Sequence, residues 1–436
     1  MDNDKYETKI IIYKDKSILY DGHGNTSVFK EGKQSLEAKH RYNEIKKRLD
    51  DGFLNWIYNN VNADIVIDEQ KLPKDYQIVF KRLLNSITSE KGRALVVLTI
   101  IQLTIKAISP EQSIRLHKSN ANSNSFSWNE GISMRQLDSN YITPFLREKN
   151  LLKLNKFGAF MTRSLAENYP YSRLYKAEIR GDKTDWLTIV DAIESRQIDS
   201  IEALQYILLL LKNRSFKFKE IADEAHQLAV KVAEKSSFMD IQKIILTIVN
   251  ESDYKARIFE IAIHSLLQAL QENHYLEGTL APMTQMRSAN KKHGNVGDAE
   301  IYSGKVLIES WDAKYGKEYL RDELEELNDK LLMHPYLKVA GFITDKQPAI
   351  DTEIKNRTDE ISEENDTLIQ IFSFNEWVKY EMKNVSLSDF DKISSQWLVY
   401  FVDSLGQKRR EFAPIDEPTE DWLKECIAIF KERLHN

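Results

Sequence analysis

Hydrophobic residues recur at helical spacing through much of the first half of the chain. The spacing predicts helices over 35–49 and 77–108, and again over much of 182–249. Two short runs rich in β-branched and aromatic residues, 10–13 and 18–20, precede these helices and predict a hairpin. The first half is therefore expected to be mainly helical, with a small amount of strand at its start.

The most apolar stretch of the chain lies at 94–105, inside the second predicted helix. It is about a dozen residues long and contains Thr99, Gln102 and Thr104. Because ~30 Å of hydrocarbon requires about 20 apolar residues, this stretch is too short to cross a membrane. It predicts a helix buried in a protein core.

A different order of elements begins after Asp253. The predicted elements are a helix over 254–273, a loop rich in Gly and Lys over 278–297, two short strands, a helix over 318–332 and a strand over 336–343. This order indicates an α/β (α+β) domain with a central mixed sheet. Residues 351–366 contain seven acids and two bases, which predicts a solvated insertion or a mobile loop.

The length of 436 residues is about three times that of a typical single domain. We expect a mixed, mainly helical N-terminal region over 1–180, a helical connector over 181–252 and an α/β domain over 253–436. With 42% hydrophobic and 29% charged residues, the composition is that of a globular protein and argues against disordered or fibrous classes.

The net charge and the cysteine content narrow the function classes further. A net charge of -6 excludes a uniformly basic surface, and a single cysteine, Cys426, excludes disulfides within the chain and multi-cysteine metal sites. The N-terminus carries acidic residues where a signal peptide would carry basic ones. We therefore expect a cytoplasmic protein without a membrane partner.

The two short strands carry the most informative residues of the chain. Asp298 precedes the first strand, a Ser303-Gly304 turn signal separates the strands, and Asp312 and Lys314 end the second. Asp312 and Lys314 are two residues apart and so share one face of the strand. For Asp298 to share that face, the loop must contain an odd number of residues, as in a loop over 302–304 with a left-handed Gly304, or a bulge must shift the register.

Two carboxylates and a lysine gathered in this way suit the hydrolysis of phosphodiesters. Carboxylates are hard oxygen ligands for Mg²⁺, which neutralises phosphate charge and lowers the pKa of a bound water. Lys314 could orient the attacking water or stabilise the charge that develops on the phosphate. An isolated Asp-x-Lys tripeptide is common on exposed hairpins, so the surrounding sequence must distinguish a site from ordinary surface charge.

That surrounding sequence resembles the catalytic core of PD-(D/E)XK nucleases, and in particular type II restriction endonucleases. The run Gly294-Asn295-Val296-Gly297-Asp298, followed fourteen residues later by Asp312 and then by Lys314, lies in the family's order of helix, two strands, helix and strand. The resemblance covers roughly 254–345. Proline is absent before Asp298, and Asp312 stands where Glu is also common, but neither departure removes a required ligand.

The resemblance implies a restriction-endonuclease-like nuclease domain that cuts double-stranded DNA with Mg²⁺ held by Asp298 and Asp312. It also implies a homodimer, since two active centres would act on two half-sites, and a cognate DNA methyltransferase as a functional partner. An acid on the preceding helix is a further family feature, and Glu260 lies at the margin of that helix's apolar face. Glu260 could reach the metal, or it could simply compensate the helix dipole.

A local excess of basic residues marks a second candidate surface. Residues 81–180 contain sixteen Lys and Arg against seven Asp and Glu, a net of +9, interspersed with Ser, Asn and aromatic residues. We expect this segment to contact DNA, so that 1–180 becomes the recognition region. The candidate DNA contacts are Arg135, Arg147, Arg163, Arg287, Lys291, Lys292 and Asn295.

Two other functions remain open from the sequence. The chain could be a less specific nuclease of the same fold used in repair or defence, or a non-catalytic DNA-binding protein on that scaffold. A phosphate loop at Gly304-Lys305 is excluded, because Ala299 and Val306 replace the Gly and the Ser or Thr that such a loop requires. The sequence contains neither His-Glu-x-x-His nor Gly-x-Ser-x-Gly.

Overall fold

The computed structural model describes residues 8–21, 24–62, 65–87, 92–117, 128–155, 158–159, 169–283, 295–406 and 419–435. The chain divides into two compact units, Met1–Lys217 and Phe218–Asn436. The boundary lies inside a long helix, Ser200–Ala233, so the segment 181–252 contributes helices to both units.

The first unit consists of a small antiparallel sheet and a set of helices. Its elements are β1 (Lys9–Ile12), β2 (Lys16–Tyr20), β3 (Thr26–Lys30), α1 (Leu36–Asp50), α2 (Phe53–Asn60), α3 (Lys74–Asn85), α4 (Arg93–Ile108), α5 (Met134–Leu137), a π-helical turn (Asp138–Ile142), α6 (Thr143–Glu148), α7 (Lys183–Glu194) and α8 (Ser200–Ala233), which continues into the second unit. The expected hairpin is confirmed, since β1 pairs with β2 antiparallel, and β3 extends the sheet.

Local chemistry explains the helices that the sequence predicts here. Ser35 caps α1, because its hydroxyl accepts the backbone N–H of Ala38 at 2.9 Å. Helix α4 is buried along its whole central stretch, 95–105, which confirms a core helix at the most apolar segment. Gln102 of this helix is satisfied inside the unit, since it donates to the Ile114 carbonyl and accepts from the Trp186 indole.

The second unit carries helices around one sheet. After α8 come α9 (Phe238–Glu251), α10 (Lys255–Glu272), β4 (Thr279–Leu280), β5 (Ala299–Ser303), β6 (Val306–Lys314), α11 (Arg321–Leu331), β7 (Val339–Thr344), α12 (Thr352–Asn365), β8 (Leu368–Ser373), α13 (Phe374–Met382), α14 (Leu387–Leu405) and α15 (Thr419–His435). The second half of the chain therefore has the predicted α+β class, with a mixed sheet.

The five strands lie in the order β4-β5-β6-β7-β8. The pairs β4–β5 and β5–β6 are antiparallel, whereas β6–β7 and β7–β8 are parallel. The strands pack closely at Gly341 on β7, where a Cβ atom would lie 2.0 Å from the Gln370 carbonyl oxygen. Only glycine fits this position without a shift of the backbone.

Helices cover both faces of the sheet. On one face Trp311 and Ile343 pack into a core shared with α10, α13 and α14. On the other face Phe342 packs with Leu324 of α11 and Ile361 of α12. The sheet is thus the middle layer of three.

One sequence-based expectation is wrong in this unit. The acidic segment 351–366 is a helix, α12, rather than a solvated insertion or mobile loop. Ile354 and Ile361, seven residues apart, are buried on one side of α12, while its acids lie on the solvent side. The two isoleucines form a narrow apolar stripe, and the many charged residues around them make the composition of the segment resemble that of a loop. In the part of the chain that the structure describes, no helix is long and apolar enough to span a bilayer.

Candidate active site

The β5–β6 hairpin brings Asp298, which immediately precedes β5, to Asp312 near the end of β6. At the turn, Ser303 pairs with Val306 across the two-residue loop Gly304–Lys305, whereas further along Ala299 pairs with Trp311. The two pairs differ in register by one residue, because a β-bulge shifts the register between Ile301 and Tyr302. Of the two ways for the aspartates to share a face, the structure uses the bulge.

The other alternative, an odd-length loop over 302–304, is not what the structure has, although its left-handed glycine is present. Gly304 has φ +63° and begins a two-residue turn. A two-residue turn without a bulge would place Asp298 opposite Trp311 and on the other face of the sheet. The bulge restores the pairing that the candidate chemistry needs.

Backbone hydrogen bonds hold Asp298 against the end of β6. Its N–H donates to the Trp311 carbonyl at 2.9 Å, and its Oδ2 accepts the N–H of Ala313 at 3.0 Å. Asp298 is half-buried, and the Asp312 carboxyl is within hydrogen-bonding reach of it. The two carboxyl groups form one pair at the carboxyl end of β6.

Lys314 completes this group. Its Nζ lies 2.8 Å from Oδ2 of Asp312, and its ammonium group is 5.8 Å from the centre of the Phe342 ring. Burial acts to lower the pKa of Lys314, but the charge and hydrogen bond of Asp312, then the charges of Asp298 and Glu326, raise the pKa above its usual value. Lys314 is therefore held as a cation between acidic groups.

The electrostatics of Asp298 are those of a crowded carboxylate. Burial raises the pKa of Asp298 well above its usual value, and the negative charges of Glu260 and Asp312 raise the pKa further. The hydrogen bond from the Ala313 N–H opposes the rise. Burial and these neighbouring charges disfavour the ionised form of Asp298, so a cation placed here would offset that cost.

The structure brings Glu260 to the same group. Glu260 lies on α10, is half-buried, and forms an ion pair with Arg257 one turn earlier. Its charge acts on Asp298. Glu260 is therefore near the aspartate pair, as the family pattern implies, although part of its charge is compensated by Arg257.

The chain offers a partial coordination sphere for a divalent ion. Within the described ranges, no group of three or more His, Cys, Asp or Glu side chains is gathered as a ready-made metal site. Asp298 and Asp312 nevertheless fit Mg²⁺ by chemistry, since this ion is usually bound by one or two carboxylates and takes its remaining ligands from water and substrate phosphate.

The candidate DNA contacts are distributed over several environments. Asn295 is half-buried in the loop that leads to Asp298. Arg135 is exposed on α5, whereas Arg147 on α6 is half-buried and donates to the Leu154 carbonyl. The other four candidates, Arg163, Arg287, Lys291 and Lys292, lie outside the described residues.

Much of the basic character of 81–180 is neutralised within the first unit. Arg115 is buried and lies 2.7 Å from Asp191, and Lys106 lies 3.2 Å from Glu194. These acids belong to α7, outside the segment over which the net charge was counted. The count of +9 therefore overstates the charge that this segment presents to a ligand.

Sequence reasoning missed three charged residues near the candidate site. Glu300 is buried on β5, Glu326 acts electrostatically on Lys314, and Lys330 donates to the Val296 carbonyl at 3.2 Å. The period-2 rule could have identified Glu300, because it lies two residues after Asp298. Glu326 and Lys330 carry no comparable signal, since their positions depend on how α11 packs.

Comparison with protein-family models finds no match for this chain, and comparison with curated proteins likewise finds none.

Proposed function

We propose that this protein is a Mg²⁺-dependent type II restriction endonuclease, which hydrolyses phosphodiester bonds of double-stranded DNA at a specific sequence. The observation that carries the proposal is the meeting of the Asp298 and Asp312 carboxyl groups, which lie within hydrogen-bonding reach of each other, with Lys314 2.8 Å from Asp312. The sequence motif requires these three side chains to meet, and the bulged hairpin brings them together.

The sheet supports the same assignment. An antiparallel β5–β6 hairpin followed by the parallel strands β7 and β8 is the arrangement expected of a restriction-endonuclease-like domain with the motif on its first two long strands. Helix α10 precedes the hairpin and carries Glu260, as that pattern also requires. A shared arrangement alone does not establish an activity, so the side-chain group carries more weight than the topology.

Each residue has a distinct part in the proposed reaction. Asp298 and Asp312 would hold Mg²⁺, which when bound supplies charge neutralisation at the phosphate and a water of lowered pKa. Lys314 presents an ammonium group that can donate to a phosphate oxygen as negative charge develops there. Glu260 would bind or orient water beside Asp298, from its position on α10.

The proposal extends to partners. Double-stranded DNA would be bound by the first unit and by the loop that contains Asn295. A homodimer would cut both strands of a twofold-symmetric site, and a cognate methyltransferase would protect the host's own sites. A cytoplasmic location agrees with such a pair of enzymes.

Incubation of the full chain with phage DNA and Mg²⁺ tests the proposal. Discrete fragments would support restriction, and a smear would support the less specific nuclease instead. Asp298→Asn and Asp312→Asn should each remove cleavage, whereas Asp322→Asn, an exposed acid in the first turn of α11, should not. Intact DNA with the wild-type protein under several divalent cations would contradict any nuclease function.

A further inference from the structure

A buried carboxylate lies beside the aspartate pair without being part of it. Glu300 is only 3% exposed and lies on β5, two residues after Asp298, opposite Ser310 of β6. A carboxylate loses hydration when it is buried, and this cost must be offset by hydrogen bonds. The partners of Glu300 therefore indicate what it does.

Both carboxylate oxygens of Glu300 accept hydrogen bonds. Oε1 accepts the backbone N–H of Val296 at 2.7 Å, and Oε2 accepts the hydroxyl of Tyr302 at 2.8 Å. The first bond reaches back four residues to the loop that leads into Asp298. The second fixes the Glu300 side chain from within its own strand.

The same loop is held by two further contacts. Lys330 of α11 donates to the carbonyl of Val296 at 3.2 Å, so both polar groups of the Val296 backbone have side-chain partners. Gly297 packs onto β6, where a Cβ atom would lie 2.6 Å from the Trp311 carbonyl oxygen. The backbone just before Asp298 is thus fixed on each side.

We propose that Glu300 is a positioning residue, which holds loop 295–298 so that the Asp298 carboxylate stays opposite Asp312. The inference rests on the proposed nuclease function and adds to it a residue that does not touch DNA or metal. Glu300 would act by fixing the position of Asp298, one of the two proposed Mg²⁺ ligands. Loss of Glu300 should therefore weaken the use of Mg²⁺ and slow cleavage, while DNA binding by the rest of the protein is retained.

The hydrogen-bond chemistry allows a conservative substitution that separates this effect from charge. A glutamine at position 300 keeps one acceptor oxygen for the Val296 N–H, and its amide can donate to the Tyr302 hydroxyl, which both donates and accepts. Glu300→Gln should therefore preserve the loop, whereas Glu300→Ala removes both bonds and leaves the Val296 N–H buried without this acceptor.

The test compares single-turnover cleavage of phage DNA by full-length variants across a Mg²⁺ titration. Glu300→Ala should cleave about 10- to 100-fold more slowly and need more Mg²⁺ for half-maximal rate, with DNA affinity in Ca²⁺ within about twofold of wild type. Glu300→Gln should remain close to wild type. Thr367→Val removes a buried hydrogen bond to the Leu337 carbonyl before β8 and serves as the matched control with unchanged cleavage.

Lys330→Met covers the case in which Glu300→Ala does not fold, because it releases the same loop from the carbonyl side. It should raise the Mg²⁺ requirement in the same direction. Suppose that the wild-type protein cleaves DNA, and that folded Glu300→Ala or Lys330→Met has the same cleavage rate and Mg²⁺ requirement as wild type. That result would overturn the positioning role of Glu300 but not the nuclease function. So would a Glu300→Gln variant as impaired as Glu300→Ala. Failure of the wild-type protein to cleave would overturn the nuclease function and this inference together.

Discussion

Lys314 places its ammonium nitrogen 2.8 Å from the carboxylate of Asp312, two residues earlier on the same strand. The pair lies at the end of β6, and the Lys314 ammonium group lies over the Phe342 ring, 5.8 Å from its centre. The lysine is thus oriented by a carboxylate and by an aromatic face before any ligand is bound. A charge fixed in this way needs little reorganisation during a reaction.

Replacing Lys314 should reduce cleavage much more than stability. Lys314→Met keeps an unbranched apolar side chain but removes the charge, so the cleavage rate should fall about 10²- to 10³-fold. Melting temperature in the presence of Mg²⁺ should stay near that of wild type. Lys346→Met, at an exposed lysine just after β7, is the control. A rate within tenfold of wild type would remove Lys314 from the site.

Divalent cations should stabilise the protein even without DNA. The like charges of Asp298 and Asp312 are relieved when a cation binds between them, and a cation at 100 times its Kd adds about 2.7 kcal/mol to the free energy of unfolding. Thermal unfolding with Ca²⁺ or Mg²⁺ should reveal an upward shift. Asp298→Asn should lose this shift, and its metal-free form should melt higher than the wild type because a crowded charge is gone. An equal shift in both proteins would place the cation elsewhere.

A second carboxyl pair, Glu309 with Glu381, should make stability depend on pH. Burial raises the pKa of Glu381 well above its ordinary 4.5, and the charge and hydrogen bond of Glu309 raise the pKa further. The folded protein therefore binds a proton that the unfolded chain releases above about pH 4.5. The stabilisation is complete below that pH and is lost as the pH rises through the folded-state pKa.

Glu381→Gln should remove this dependence. Its free energy of unfolding should exceed that of wild type at neutral pH, and the difference should grow with pH by up to about 1.36 kcal/mol per unit for one proton. Urea unfolding between pH 5 and 8 measures the difference. Glu363→Gln, at an exposed acid of α12, should leave the pH dependence unchanged. If the free energy of unfolding of wild type and of Glu381→Gln changed in parallel between pH 5 and 8, the raised pKa of Glu381 would be contradicted.

Two arginines of the first unit should respond differently to removal. Arg135 is exposed, so Arg135→Ala should weaken DNA binding and reduce the salt slope by about one. Arg147 donates to the Leu154 carbonyl, so Arg147→Ala should lower the free energy of unfolding by about 1–3 kcal/mol. Filter binding across salt concentrations and urea unfolding measure the two effects. A salt slope unchanged by Arg135→Ala would exclude a phosphate contact there.

The sequence predicted those parts of the fold that depend on local pattern. The core helix α4 and the β5–β6 hairpin follow from hydrophobic period and turn residues, and the structure has both. The parity rule narrowed the aspartate pairing to two solutions, but it could not select one. A bulge depends on how the whole hairpin packs on β7 and α10, which a local pattern does not contain.

The candidate site likewise contains residues that a local pattern predicts and contacts that depend on tertiary packing. Asp298, Asp312 and Lys314 were predictable because they lie on one hairpin, where spacing fixes the face. The contacts of Lys330 and the pairing of Glu309 with Glu381 join positions far apart in the chain, so they depend on tertiary packing. The helix α12 was missed for another reason: its two buried isoleucines are outnumbered by surface acids.

Because of the bulge between Ile301 and Tyr302, the number of residues in the hairpin turn is constrained by the need to keep the two aspartates together. An insertion or deletion of a single residue in the Gly304–Lys305 turn would be harmless in most surface loops, yet here, as long as the bulge is kept, it would change which face of β5 points toward Asp312. Such a frame-preserving change could leave the protein folded and abundant while separating the aspartates. Random one-codon insertions across this turn are therefore expected to be depleted from active clones but to persist among folded ones.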